Sequence, residues 1–104
     1  MNSLPTLTGA QKSRLRGLGQ NLSDSLRIGR AGPTPALLAE LTRQLATRGL
    51  VKVRFENPDR HERAALCDAL AARAACLCVG AVGRTALFWQ ASAAGGRLLG
   101  PDQN

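Results

Sequence analysis

The run Leu26-Arg27-Ile28-Gly29-Arg30-Ala31-Gly32 joins a short β-prone stretch to a G-x-x-G loop that carries an arginine, and Thr34-Pro35 follows directly. These residue types at this spacing suit contact with a sugar-phosphate backbone. Glycine has no Cβ, so Gly29 and Gly32 can adopt positive φ and let a polyanion pass close to the main chain. Arg30 adds charge at the same place. Thr34 reads as an N-cap with proline at the first helical position, which sets free N–H groups and the positive end of a helix dipole beside the loop. Two glycines three apart also occur in ordinary strand-to-helix turns, so the loop alone does not separate the two uses.

Charge points toward a polyanion. The 104 residues hold 14 Lys+Arg against 7 Asp+Glu, a formal net charge of +7. A partner with dense negative charge follows from that excess. All the basic residues except Lys12 and Lys52 are arginine, whose guanidinium makes bidentate phosphate contacts and stacks on bases. GC-rich coding also raises arginine, so the charge excess is the informative quantity rather than the choice of arginine. Phe55, Phe88 and Trp89 are the only aromatics, too few for base stacking to dominate. Phe55 and at least one of the other pair are expected in the core, which leaves backbone charge and shape to carry binding.

A chain of this length holds one domain with one modest core. Thr8-Gly9-Ala10-Gln11 is a capping-box pattern that opens helix 1, about residues 9 to 20, with Leu15, Leu18 and Leu22 at helical spacing. Lys12, Arg14 and Arg16 fall on its solvated side, and Gly17 and Gly19 loosen its end. Residues 25–28 form a short strand before the glycine loop. Helix 2 spans Pro35 to Arg48, with Leu37, Leu38, Leu41 and Leu45 on one stripe and Gly49 as the terminating residue.

Residues 50–56 alternate, with Val53 and Phe55 on one face and Lys52, Arg54 and Glu56 on the other, which predicts one face in the core and one wet. Asn57-Pro58 ends that strand. Asp59 with Glu62 caps helix 3, about residues 60 to 74, which buries Leu66, Ala69 and Leu70. Residues 76–82 and 85–90 form a hairpin around Gly83-Arg84. The prediction is an α/β domain over residues 7–91 in the order helix-strand-helix-strand-helix-strand-strand. Its mixed sheet has four strands, with helices 2 and 3 on one face and helix 1 appended. Residues 1–6 read as a tail, and 92–104, rich in Ala and Gly without periodicity, as a flexible one.

Several function classes recede. No apolar run approaches the ~20 residues of a membrane span, and Met1 to Pro5 lacks a basic-then-apolar secretory pattern. The expected location is the cytoplasm. Three cysteines, an odd number, fit reduced thiols better than a disulfide framework. The single histidine, His61, lies between Arg60 and Glu62 at a solvated helix start, with no nucleophile at a readable spacing. Cys67, Cys76 and Cys78 with His61 offer four potential metal ligands, but C-x-C on a strand lacks the C-x₂₋₄-C knuckle of zinc sites. Buried thiols acting as small hydrophobes are the expectation. No enzyme activity, metal, cofactor or small-molecule substrate is expected.

Four motifs together resemble the CRM domain, the chloroplast RNA splicing and ribosome maturation module, in its bacterial single-domain YhbY-type form. They are Leu15-Arg16-Gly17-Leu18, Ile28-Gly29-Arg30-Ala31-Gly32 with Thr34, Leu50-Val51-Lys52-Val53, and Val82-Gly83-Arg84-Thr85, within about residues 7 to 90. The resemblance implies an RNA-binding domain related in fold to the C-terminal domain of bacterial initiation factor three, with the glycine loop used as in KH domains. It also implies association with large-subunit ribosome precursors and their rRNA. The last strand departs from the family: Phe88-Trp89-Gln90 stands where relatives tend to end in a tyrosine and an arginine. The candidate RNA contacts are Arg27, Gly29, Arg30, Ala31, Gly32, Thr34, Lys52, Arg54, Arg84 and Thr85.

Three functions stay open on the residues themselves. One is an RNA-binding ribosome-assembly factor. A second is a general double-stranded DNA-binding or architectural protein, which the same charge would serve. The third is a protein-interaction adaptor whose charge keeps it soluble.

Overall fold

The computed structural model describes residues 7–100; the stretch 1–6, read as a tail, and 101–104 lie outside the described residues. Local capping chemistry sets most of the helices. At α1 (Gly9–Gln20), Thr8 accepts from the Gln11 N–H while the Thr8 N–H donates to the Gln11 side chain, closing the capping box. At α2 (Pro35–Arg48), Thr34 accepts from the Leu37 N–H and proline occupies the first turn, whose missing N–H costs nothing there. Gly49, at φ 81, ends α2 in the left-handed conformation that glycine adopts without strain. At α3 (Arg60–Arg73), Asp59 accepts from the His61 and Glu62 N–H groups. Those bonds favour the charged carboxylate and hold its pKa below the usual range. Glu62 does not complete a capping box; it accepts from the Asn57 side chain instead.

The sheet has the order β1-β2-β4-β3, built from β1 (Leu26–Ile28), β2 (Leu50–Phe55), β3 (Leu77–Val82) and β4 (Thr85–Trp89). β1 and β2 run parallel, joined through α2, while β4 pairs antiparallel with both β2 and β3. Four strands in a mixed sheet with helices on it confirm the α/β reading of the sequence.

The two faces of the sheet are both covered, but unequally. Ile28, Val51, Val53, Phe55, Ala86 and Phe88 meet Leu41 and Leu45 of α2 and Cys67 and Leu70 of α3. Leu41 and Leu45 are fully buried, each worth about 2 kcal/mol of apolar transfer. On the opposite face Leu15 of α1 packs with Leu7, Leu50, Val79, Leu87 and Trp89. The alternation of residues 50–56 thus predicts a wet second face, and α1 corrects it over β3 and β4. Only the β1–β2 side stays open, where Lys52 is half-buried and Arg54 exposed.

α1 uses a narrower contact than its leucine spacing suggests. Leu18 and Leu22 are each 37% exposed, and the buried residues are Leu15 and Gly19. Gly19 is a packing residue rather than a loosened end, because a Cβ there would come 2.5 Å from Leu87 Cδ2. Arg14 and Arg16 are exposed, as expected, and they also clamp the helix down: Arg14 Nε donates to the Leu98 carbonyl at 2.8 Å and Arg16 Nε to that of Val79 at 2.9 Å.

The largest departure lies beyond residue 91. Ser92 caps a short helix, α4 (Ala93–Arg97), by accepting from the Gly95 N–H. Its glycines permit close backbone approach, so Gly95 is buried against Gly49 and its carbonyl accepts from Trp89 Nε1 at 2.9 Å. Leu98 and Leu99 then pack on the α1 side. A segment without apolar periodicity is held here by backbone contact, which composition does not reveal. Among the described residues no helix is long and apolar enough to cross a membrane.

Candidate nucleic-acid interface

The strand register gathers the basic residues. Ile28 and Phe55 point into the helix-covered core, so their neighbours Arg27 and Arg54 emerge on the other face, where the two are direct cross-strand partners. Arg54 in turn pairs with Thr85, and Lys52 stands two residues back on the same face. The residues Arg27, Arg54 and Thr85 therefore form a row across β1, β2 and β4. Among the described residues, none of Arg27, Lys52 and Arg54 has a carboxylate within salt-bridge distance, the single ion pair being Arg43–Glu40 on the exposed side of α2. Like charges held opposite each other on paired strands destabilise a sheet. An anion bound across them would remove that cost.

Both loops sit at the same end of the sheet. The Ile28 carbonyl accepts from the Glu56 N–H at 2.9 Å, and the Arg84 carbonyl from the Phe55 N–H at 2.7 Å. This brings the Gly29–Gly32 loop, the end of β2 and the Gly83-Arg84 turn side by side. The capped start of α2 at Thr34 completes the edge. Arg30, Ala31 and Arg84 are exposed, as a backbone-contacting set requires. Gly83 has φ 59 and no atom within 4 Å of a would-be Cβ, so the turn tip is open.

The two glycines of the loop divide their roles. Gly32 has φ 95, a conformation that other residues adopt only with strain. Its N–H donates to the Gly29 carbonyl at 3.0 Å and closes the turn. Gly29 does not have positive φ, contrary to the expectation from the sequence; the backbone there tolerates any residue. A Cβ on Gly29 would meet only Glu56 Oε1, at 3.7 Å.

Sequence reasoning missed the groups that build and border this edge. Asn57, read as a strand breaker, is buried and organises the loop: its amide donates to Glu62 at 2.5 Å and its carbonyl oxygen accepts from the Asp59 N–H at 2.9 Å. Arg63 donates to the Asn57 and Pro58 main-chain carbonyls at 3.0 and 2.7 Å. Glu56 beside Gly29, and Glu62 in the cleft it shares with Arg30, Ala31 and Gly32, set negative charge next to the loop. That negative charge would turn a polyanion away from them, toward Arg30 and the open sheet face. Asn followed by Pro carries a turn signal, but nothing local announces that its side chain bonds five residues on.

All three aromatics are buried, Phe55 and Trp89 at 2% exposure and Phe88 at 0%, so none can stack on a base. Trp89, which stands where the last strand departs from the family pattern, is a core residue with its indole N–H bonded to α4. His61 is exposed at the start of α3, and no group of three or more His, Cys, Asp or Glu converges among the described residues.

A family model for the CRS1 / YhbY (CRM) domain matches residues 7–90, a span that contains the row of arginines and both loops. The chain belongs to this family. A curated relative, "Probable RNA-binding protein PA4753" of Pseudomonas aeruginosa, is 34% identical over 84 residues, which cover 81% of each chain. The solution structure of the hypothetical protein SAV1595 from Staphylococcus aureus, described as a candidate RNA binding protein, superposes with a TM-score of 0.76 at 25% identity. The match covers 84% of this chain and 91% of that one. The CRM fold here thus extends through the hairpin, and α4 begins just after the matched residues.

Proposed function

We propose that this CRM domain binds structured RNA through the open β1–β2 edge, and that its cellular target is rRNA of the large-subunit precursor. The observation that carries the reading is the cross-strand pair Arg27 and Arg54, two unneutralised cations in register, with Lys52 beside them and the Gly29–Gly32 loop at their end. A fold that keeps like charges in register gains from a ligand that brings several phosphates at once. Arg30, Ala31, Gly32 and Thr34 contribute main-chain approach and a helix N-terminus, and Arg84 and Thr85 extend the track across β4. The relatives' RNA-binding names support the class of ligand. The role is one of binding rather than catalysis, in the cytoplasm and with ribosome precursors. Selectivity comes from RNA shapes that are accessible before assembly packs them away.

With about four phosphates neutralised on unpaired RNA, log affinity should fall against log salt with a slope of about −3. Titration of the protein with a large-subunit rRNA fragment and with duplex DNA of equal length, across a salt series, tests both parts. The expected result is that slope for RNA, with duplex DNA competing poorly. Preference for the duplex would replace this reading with a DNA-binding one, and a slope of zero for both would remove nucleic acid altogether. Sedimentation of tagged protein with immature rather than mature large subunits tests the assembly role.

A further inference from the structure

The cavities around the open end of the sheet differ in charge. The cleft next to Gly32 sets Glu62 against Arg30. The cavity between α1 and the β3–β4 hairpin holds Arg16, whose Nε is already bonded to the Val79 carbonyl. A third, the groove of about 450 Å³ between α3 and the hairpin, is lined by Arg60 and Arg63 and by no acidic residue. Its volume lies within the range of small-ligand sites.

The groove is built in advance of any ligand. Arg63 is half-buried, and its Nη1 donates to the Asn57 and Pro58 carbonyls, which fixes the guanidinium at the groove. Arg60, one turn earlier on α3, is exposed, and neither arginine has a carboxylate within salt-bridge distance among the described residues. Between α3 and the hairpin the lining is apolar: Ala64 and Ala81 are exposed, with Cys67 and the buried Phe55 behind them. Apolar walls beside two fixed cations suit a base joined to a phosphate. Gly83 and Thr85 line the hairpin side, and both also border the open edge. No atom lies within 4 Å of a would-be Cβ on Gly83, so a chain crossing the turn meets no side chain there.

We propose that this groove takes one unpaired nucleotide of the bound RNA, its base against Ala64, Cys67 and Ala81 and its flanking phosphate on Arg60 and Arg63. The inference rests on RNA lying along the β1–β2 edge and the Gly83-Arg84 turn, and it adds a contact of a different kind. The edge holds phosphates whether or not their bases are paired, whereas the groove needs a base outside the stack. A paired base must first be pulled from the duplex at a cost in free energy, and a bulged one is already free. All three aromatic rings are buried, so the base is held by apolar contact rather than by stacking. A row of cations alone does not tell one RNA shape from another, and this groove supplies that discrimination.

The test measures binding of the full chain to two RNA stem-loops that differ by a single unpaired uridine in the stem. The bulged RNA should bind about tenfold tighter, the effect of removing roughly 55 Å² of apolar base surface from water. Ala64→Trp fills the groove from an exposed helix position and should bring the bulged RNA down to the affinity of the paired one. With 4-thiouridine at the bulge, irradiation of the unaltered protein should join it to residues 60–67 of α3, a readout that needs no variant to fold. Equal affinity for the two RNAs, a preference that survives Ala64→Trp, or a crosslink to Arg27, Lys52 or Arg54 would overturn the proposal while leaving RNA binding at the edge intact. Free uridine monophosphate at the concentration of the RNA should leave the preference unchanged; if it abolished it, the groove would be a mononucleotide site and the proposal would fall. Failure of both stem-loops to bind would instead remove the RNA reading on which the proposal rests.

Discussion

The two ends of the sheet use glycine for opposite purposes. At the closed end, where β2 begins and β4 finishes, Gly49 and Gly95 bring two main chains into contact and Ser92 Oγ reaches the Leu45 carbonyl at 3.4 Å. At the open end, Gly32 and Gly83 have positive φ, and would-be Cβ atoms there meet Leu66 at 3.9 Å and nothing within 4 Å. In one place the missing side chain lets the protein touch itself. In the other it leaves the backbone bare beside Arg30 and Arg84. The contrast teaches that a glycine-rich sequence marks close approach, and only geometry says by what.

The sharpest break in that contrast is Gly95→Ala. Its Cβ would strike the Gln90 carbonyl, which is backbone and cannot swing away. Urea unfolding should show a loss of about 3 kcal/mol, with the RNA affinity of the folded fraction unchanged. An affinity loss of the same size in the folded protein would mean that the closed end also binds. Trp89→Phe tests the same end more gently. Removing the indole N–H leaves the Gly95 carbonyl without its donor, and denaturation should register about 2 kcal/mol. A value near zero would show that α4 is not anchored through this bond.

The legibility of the sequence follows the range of the interactions involved. Caps at Thr8, Thr34 and Asp59 and the turn at Gly83-Arg84 depend on residues a few positions apart, so the elements they bound are readable within a residue or two. The helix-facing core was also readable, because Val53, Phe55, Leu41 and Leu45 follow strict periods. The cover of β3 and β4 by α1 was not: Leu15 marks an apolar position on the helix, but which strands it meets, and that Gly19 lets Leu87 approach, depend on contacts between distant segments. Residues 93–97 were misread for the same reason: the glycines that suggested a tail are what allow α4 to dock. For the candidate site, the loop and Arg84 were visible as motifs. The pairing of Arg27 with Arg54 was not, because parallel register across α2 is fixed only by the packed fold.

At the open end the two loop glycines should separate. Gly32→Ala forces a side chain into positive φ and should cost roughly 1 to 2 kcal/mol in unfolding experiments. Gly29→Ala meets no strain, so its stability should match the parent while RNA binding weakens. If Gly29→Ala binds like the parent, the ligand does not approach the main chain at that residue.

The smallest expected change is also the most discriminating in sign. Arg27→Ala relieves the like-charge pairing with Arg54 and should stabilise the free protein by about 0.5 kcal/mol. The same substitution should flatten the salt dependence of RNA binding by roughly 0.7 in slope, the loss of one phosphate contact. Reduced stability with unaltered slope would make Arg27 a structural residue. Glu56→Gln should act in the other direction, raising affinity at low salt by removing negative charge beside Gly29.

The claim that one end of this sheet is built for RNA is tested most directly by following backbone amide resonances as a large-subunit rRNA fragment is added. The account predicts shifts concentrated at residues 27–34, 52–56 and 83–85, with residues 89–97 of the closed end unmoved until the protein is saturated. Shifts centred on α4, or on the outer side of α1 around Lys12, with the open edge silent, would contradict it.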